Sequence, residues 1–163
     1  MTIDDLDELV AMHSNPDVER FMGPFGREQA AARLEADARQ WNERGHGLFK
    51  VVHRADGRFI GRAALKHWPQ WDETEVGWVI RREEWGKGFA TEAARACADW
   101  GFRTLPVPYL TACIQPHNAR SIAVAERLGM QPRRNDVLNE IPGVVYAVDR
   151  GNWSNPEGLR QRL

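Results

Sequence analysis

Gly86 and Gly88 flank Lys87 just ahead of an apolar run that recurs at helical spacing. A glycine turn feeding a helix N-terminus aims successive backbone N–H groups at one point, where the helix dipole adds positive potential. An anion, most naturally a phosphate, fits that point, and Lys87 could add charge at its mouth. Two nucleotide motifs fail on spacing. A Walker A loop needs Gly-x-x-x-x-Gly-Lys followed by Ser or Thr, yet Gly88 follows Lys87 and Arg81 stands where its first glycine belongs. A dinucleotide fingerprint wants Gly or Ala where the chain has Thr91, and an acidic residue where it has Thr111. Glycine turns also serve merely to turn a chain. Spacing alone therefore supports an anion site and no more.

Other chemistries find little footing. Cys97 and Cys113 sit in apolar segments at no zinc or redox spacing, and the histidines form no His-x-x-x-His pair, so no metal is expected. A formal net charge of −1, without a Lys/Arg run, argues against a nucleic-acid partner. Met1 to Leu9 is acidic and lacks the apolar core of a targeting peptide, and no apolar run is long enough to span a bilayer. These features predict a cytoplasmic protein with no membrane partner. With 163 residues, the chain fits one domain over 1–163, ending in a polar tail over 152–163. Such a chain buries roughly 70% of its unfolded surface, so its core needs neither disulfide nor metal.

The elements that must position the turn follow from periodicity. Helices are expected over Asp4 to His13, closed by Asn15-Pro16-Asp17, and over about Arg27 to Arg44, closed by Gly45 and Gly47. Phe21-Met22-Gly23-Pro24-Phe25 between them reads as an apolar loop, either a plug under the helices or a wall of an acceptor pocket. Strands follow at 48–52, 58–65 and 75–80, the first two joined by an Asp56-Gly57 turn and the last preceded by a loop carrying Trp68, Pro69 and Trp71. From Phe89 the period becomes helical, with a small-residue stripe at Ala90, Ala94 and Ala98, until Pro106 and Pro108. A strand at 109–114 then completes a strand–helix–strand unit whose strands should be parallel. A short helix from Ala119 to Leu128, capped by Asn118 and ended by Gly129, precedes strands at 131–134 and 144–148. The fold class predicted is mixed α+β around one sheet.

Glu84-Trp-Gly-Lys-Gly-Phe-Ala-Thr-Glu-Ala93 resembles the pyrophosphate-binding motif of the GNAT N-acetyltransferase superfamily, Gln/Arg-x-x-Gly-x-Gly/Ala, with Trp85 where Gln or Arg is usual. The flanking residues resemble its Rim-type branch, the ribosomal-protein N-terminal acetyltransferases. The carriers are Glu75-Val-Gly-Trp78, Asn118-Ala-Arg-Ser121, Glu126-Arg-Leu-Gly-Met130, and Tyr146 with Trp153 on a closing strand. The matches run from about residue 10 to 153. The resemblance implies a mostly antiparallel sheet with two splayed parallel central strands and about four helices. It implies acetyl-CoA as co-substrate, with pantetheine pairing along Trp78, Val79 and Ile80. The pyrophosphate would meet the amides of Gly86, Lys87, Gly88, Ala90 and Thr91, and Asn118 and Ser121 would lie beside the thioester. The family's opening strand is missing or reduced to a stub here, as it would be if translation began upstream. The uncovered sheet edge would make a homodimer plausible.

Attack of an amine on a thioester needs a neutral amine, a polarised carbonyl and a proton for the departing thiolate. Amines are mostly protonated at neutral pH, so a base helps. Glu75, acting through a water, is the candidate base, with His67 a weaker one. Val79 N–H could polarise the carbonyl. A Tyr is common in the superfamily seven residues after the Asn, but here that position is Ala125, so the Rim-type pattern points to Ser121 as the acid. The acceptor is expected to be a protein N-terminus, an aminoglycoside-like antibiotic or a polyamine; Asp72, Glu73 and Glu75 would make a cleft acidic enough for a polycation. A non-catalytic acyl-CoA sensor of the same fold is the alternative. A nucleotide-binding interaction protein is a third possibility.

Overall fold

The computed structural model of the chain describes residues 1–138 and 141–153. After a 3-10 turn at Ile3–Asp5 come α1 (Leu6–His13), α2 (Pro16–Met22) and α3 (Arg27–Arg44). Strands β1 (Leu48–Val52), β2 (Phe59–Trp68) and β3 (Glu73–Ile80) follow. Next are α4 (Phe89–Thr104), β4 (Tyr109–Ile114), α5 (Ala119–Arg127), β5 (Gln131–Leu138) and β6 (Ile141–Asp149). The fold is mixed α/β, built on one six-stranded sheet. Its strands lie in the order β1-β2-β3-β4-β6-β5, every neighbouring pair antiparallel except β3 with β4.

Among the described residues there are five α-helices rather than about four. The extra one is α2. Asn15-Pro16 does end α1, but it also starts a helix: Asn15 Oδ1 accepts the Asp17 N–H at 3.0 Å, and Pro16 supplies a preset φ at the first helical position. Phe21 and Met22 are therefore the last turn of α2 and not a loop. Strand β2 runs on through Trp68, which sequence assigned to the following loop. The closing strand stops at Asp149, so Trp153 is not part of it. Trp153 instead packs on Phe102, its indole N–H donating to Asp99 Oδ1 at 2.7 Å. Of the expected polar tail, residues 154–163 lie outside the described part.

Alternation along β2 and β3 divides the core. Ala63, Leu65 and Val76 face α4 and α5, whereas Ala64 and Val79 face α1 and α3 on the opposite side of the sheet. Helix α4 lies close because its inner stripe is small: Ala94 and Ala98 are fully buried, and a Cβ on Gly101 would meet Leu65 at 2.9 Å. Among the described residues no strand lies ahead of α1, and β1 is at the sheet edge. That edge is partly satisfied at Leu48, whose N–H donates to Asp37 Oδ1 at 2.6 Å and whose carbonyl accepts from Trp41 and from the Met1 amine. No helix among the described residues is long and apolar enough to cross a membrane.

The arrangement that matters for a site is at the sheet centre. β3 and β4 run parallel but are bridged only at Glu75↔Thr111. Beyond it the two strands part, and a gap opens along Val76 to Ile80.

Candidate active site

Two groups of side chains and backbone meet at this gap. The first is the glycine turn. Gly86 (φ +79°) and Gly88 (φ +89°) are both left-handed, a conformation that L side chains resist, and Gly88 is the N-cap of α4. No atom outside the turn lies within 4 Å of where a Cβ would stand at either position, so the space ahead of these amides is open. Trp85 fastens the turn to the end of β3, its indole N–H donating to the Ile80 carbonyl at 2.7 Å. Arg82 and Arg120 stack on Trp85, their guanidinium carbons 4.9 and 4.7 Å from its ring. Lys87 is less free than its position in the motif suggests. Its Nζ is 3.0 Å from the buried Glu84, which Arg58 also engages. Ala90 and Thr91 fall in the first turn of α4, with Ala90 packed on the core.

The second group lines a cavity of about 190 Å³ in the gap. Glu75, Trp78, Val79, Asn118 and Ser121 all line it; Ile80 is buried instead. Asn118 caps α5 by accepting the Ser121 N–H at 3.2 Å, which fixes Ser121 at the start of that helix. Ser121 Oγ has no hydrogen-bond partner among the described residues.

Glu75 accepts the Trp68 indole N–H at 3.1 Å and a backbone bond from Cys113. Burial outweighs these contacts and pushes its pKa up to about 7. His67 is on the other face of β2 from Lys66 and Trp68 and does not line the cavity, because adjacent strand residues point to opposite sides. It is unsuited to the role of base. Phe21 and Met22 do wall the cavity, and Gln115 ties them down by donating to the Phe21 carbonyl at 2.8 Å. Phe25 packs on His13 instead, ring centroids 4.2 Å apart. The apolar segment thus divides between wall and plug.

The ladder corrects one expectation. Arg81 N–H bonds to the Ile60 carbonyl, which makes Gly61↔Ile80 a non-hydrogen-bonded pair and Arg62↔Val79 a hydrogen-bonded one. The polar groups of Val79 are therefore spent on β2. Those facing the gap belong to Trp78 and Ile80, so a donor to a ligand carbonyl there is Trp78 N–H and not Val79 N–H.

The cavity wall also holds three cations that sequence reading missed: Arg33 from α3, with Arg62 and Lys66 from β2. Alternation could have found two of them, since Arg62, Ala64, Lys66 and Trp68 share one strand face. Among the described residues the expected acidic cleft does not form. Glu73 is taken by Arg134, which donates from both terminal nitrogens at 2.8 and 2.7 Å, and by the Tyr109 hydroxyl; Asp72 is out in solvent.

Comparison with known proteins agrees with this geometry. The profile of the acetyltransferase (GNAT) domain family matches residues 1–131. The chain is 33% identical over 157 residues to the uncharacterized protein YkkB of Bacillus subtilis (strain 168), covering 93% of this chain and 81% of that protein. An acetyltransferase from Agrobacterium tumefaciens str. C58 superposes with a TM-score of 0.81 at 29% identity, over 91% of this chain and 86% of its own. The ribosomal-protein-S5-alanine acetyltransferase of Vibrio fischeri superposes with a TM-score of 0.76 over 94% and 92% of the two chains; at 17% identity this is a likeness of fold alone. With a family profile over most of its length and the splayed pair and glycine turn in place, the chain belongs to the GNAT acetyltransferase family.

Proposed function

We propose that the protein transfers an acetyl group from acetyl-CoA to a primary amine by direct attack. The observation that carries this reading is the one-bridge junction of β3 and β4, with a glycine turn beyond one end and a carboxylate of raised pKa at the other. The open edge of β3 suits an extended amide-bearing arm, which pairs as an added strand would. The amides of Gly86 to Thr91 suit its pyrophosphate.

In this mechanism Glu75, ionised above about pH 7, takes the proton of the attacking ammonium, directly or through a water. The amine lone pair forms the C–N bond while negative charge grows on the thioester oxygen, where Trp78 N–H donates. The C–S bond then breaks as the nitrogen gives up its second proton to solvent, and Ser121 Oγ–H supplies the proton that makes the free thiol, recovering one from solvent. Ala125, fully buried in α5, offers no hydroxyl for that task.

Calorimetric titration with CoA and an assay of thiol release from acetyl-CoA across amines test the reading. Micromolar CoA binding and amine-dependent release are expected. Binding without release for any amine would favour a sensor, and absence of CoA binding would sink both readings.

A further inference from the structure

We propose that the acceptor amine carries its own anionic group, a carboxylate or a phosphate-type oxyanion, seated against Arg62, Arg33 and Lys66. The identity of this molecule as acceptor rests on the transferase reading; the anion site does not.

Arg62 carries the argument. Its side chain is in the interior, the residue only 5% exposed, yet no carboxylate lies within ion-pairing distance of it among the described residues. Its one hydrogen bond is a long one, Nε to His13 Nε2 at 3.4 Å, and burial with the neighbouring cations holds that imidazole neutral, its pKa lowered to about 3. Neither terminal nitrogen has a hydrogen-bond partner among the described residues, and Arg62 lines the cavity. A charge removed from water and left unpaired is costly, and a fold that keeps one gains from it when a ligand supplies the counter-charge. Lys66 repeats the pattern: its Nζ rests 3.5 Å from the Trp68 ring centroid and has no carboxylate within ion-pairing distance among the described residues. Arg33 reaches the same wall from α3, also without an ion pair among the described residues.

The carboxylates nearby do not cancel these three charges. Asp37 accepts Leu48 N–H on Oδ1 and has no partner on its buried Oδ2, and burial raises its pKa toward the neutral form; it does not line the cavity. Glu75 is half protonated near neutrality and is needed for the amine. The wall is therefore net positive, which disfavours a polyamine or aminoglycoside. Size points the same way: about 190 Å³ is shared by the thioester end and the amine-bearing part of the acceptor, which suits a small acceptor group. Ammonium toward Glu75 and oxyanion toward Arg62 describe a small zwitterion.

The test uses primary amines of matched size on the intact chain. Glycine, β-alanine and aminomethylphosphonate form the anionic arm; glycinamide, ethanolamine and 1,3-diaminopropane are the controls. Binding is read as the shift in melting temperature of the CoA-saturated protein, and turnover as kcat/KM with acetyl-CoA. The anionic amines should raise the melting temperature and exceed glycinamide in kcat/KM by roughly 10- to 100-fold. The carboxylate and phosphonate arms tell which oxyanion fits. Arg62→Met should bring that ratio toward unity and Arg62→Lys restore part of it. Lys66→Met should lower the same ratio and reports even if Arg62→Met fails to fold. Anion-selective binding without turnover supports the site while sinking the transferase reading. Equal or better binding by glycinamide or diaminopropane, or no binding by any anionic amine, overturns the proposal.

Discussion

The two ends of the cleft are made of different materials. At the glycine turn the groups offered to a ligand are backbone amides, shaped by two left-handed glycines and the first turn of one helix, all within six residues of sequence. At the acceptor end they are side chains: Glu75 from β3, Arg62 and Lys66 from β2, Arg33 from α3 and Ser121 from α5. Backbone amides keep their polarity at any pH and cost little to hold open. The side-chain end keeps charged groups out of water, and each pays in stability or in a displaced pKa. Glu75 pays in the second way.

The largest expected effect belongs to that end. Glu75→Gln should lower kcat by about 10²- to 10⁴-fold while leaving CoA affinity nearly unchanged. The wild-type kcat/KM should rise with pH through about 7, as Glu75 loses its proton, and the variant should lack that limb. The sign for stability is opposite. A carboxyl whose folded pKa is raised contributes stability below its ordinary value, and that contribution is lost as pH rises to about 7. The variant should therefore resist urea better than wild type above pH 7. A surviving limb near pH 7 would place the base elsewhere.

At the other end, Gly88→Val should reduce CoA affinity by about 100-fold, or ~2.7 kcal/mol. A β-branched residue resists φ +89°, and its side chain would enter the open space ahead of the amides. Strain also lowers the melting temperature, so affinity is measured by calorimetry well below it. Unchanged affinity would remove the phosphate from this turn.

The same contrast explains what the sequence disclosed. The turn, the strand before it and the helix after it are contiguous, so Gly86 and Gly88 could be interpreted from local spacing. Glu75 and Asn118 were reached through flanking patterns. Arg33 and Lys66 are 33 residues apart, and only the packing of α3 over β2 brings them to one wall. Asp72 and Glu73 misled for the same reason: adjacent in sequence to the site, they are drawn away by solvent and by Arg134, 61 residues downstream. The direction of the Val79 amide was hidden because it depends on the parity of a ladder. The double role of Asn15-Pro16 was legible from cap chemistry, but its stop signal is also a start signal.

The smallest effect concerns the residue that straddles both materials. Ser121 donates its backbone N–H to Asn118 and also lines the cavity, with no hydrogen-bond partner for its hydroxyl among the described residues. Ser121→Ala keeps that N–H and removes the hydroxyl. Alanine is the better helix former by about 0.5 kcal/mol, so the variant should be as stable as wild type or slightly more so. Asn118→Ala, which removes the cap, should instead cost about 1 kcal/mol. If the hydroxyl protonates the departing thiolate, Ser121→Ala should lower kcat by about tenfold. The loss should be modest because a thiolate, far less basic than an alkoxide, leaves tolerably well without help and can take its proton from water. CoA affinity should not move. A drop in kcat with stability intact separates a proton donor from a helix-start residue that faces solvent by coincidence. An unchanged kcat would take Ser121 out of the proton transfer and leave that task to Glu75 and water.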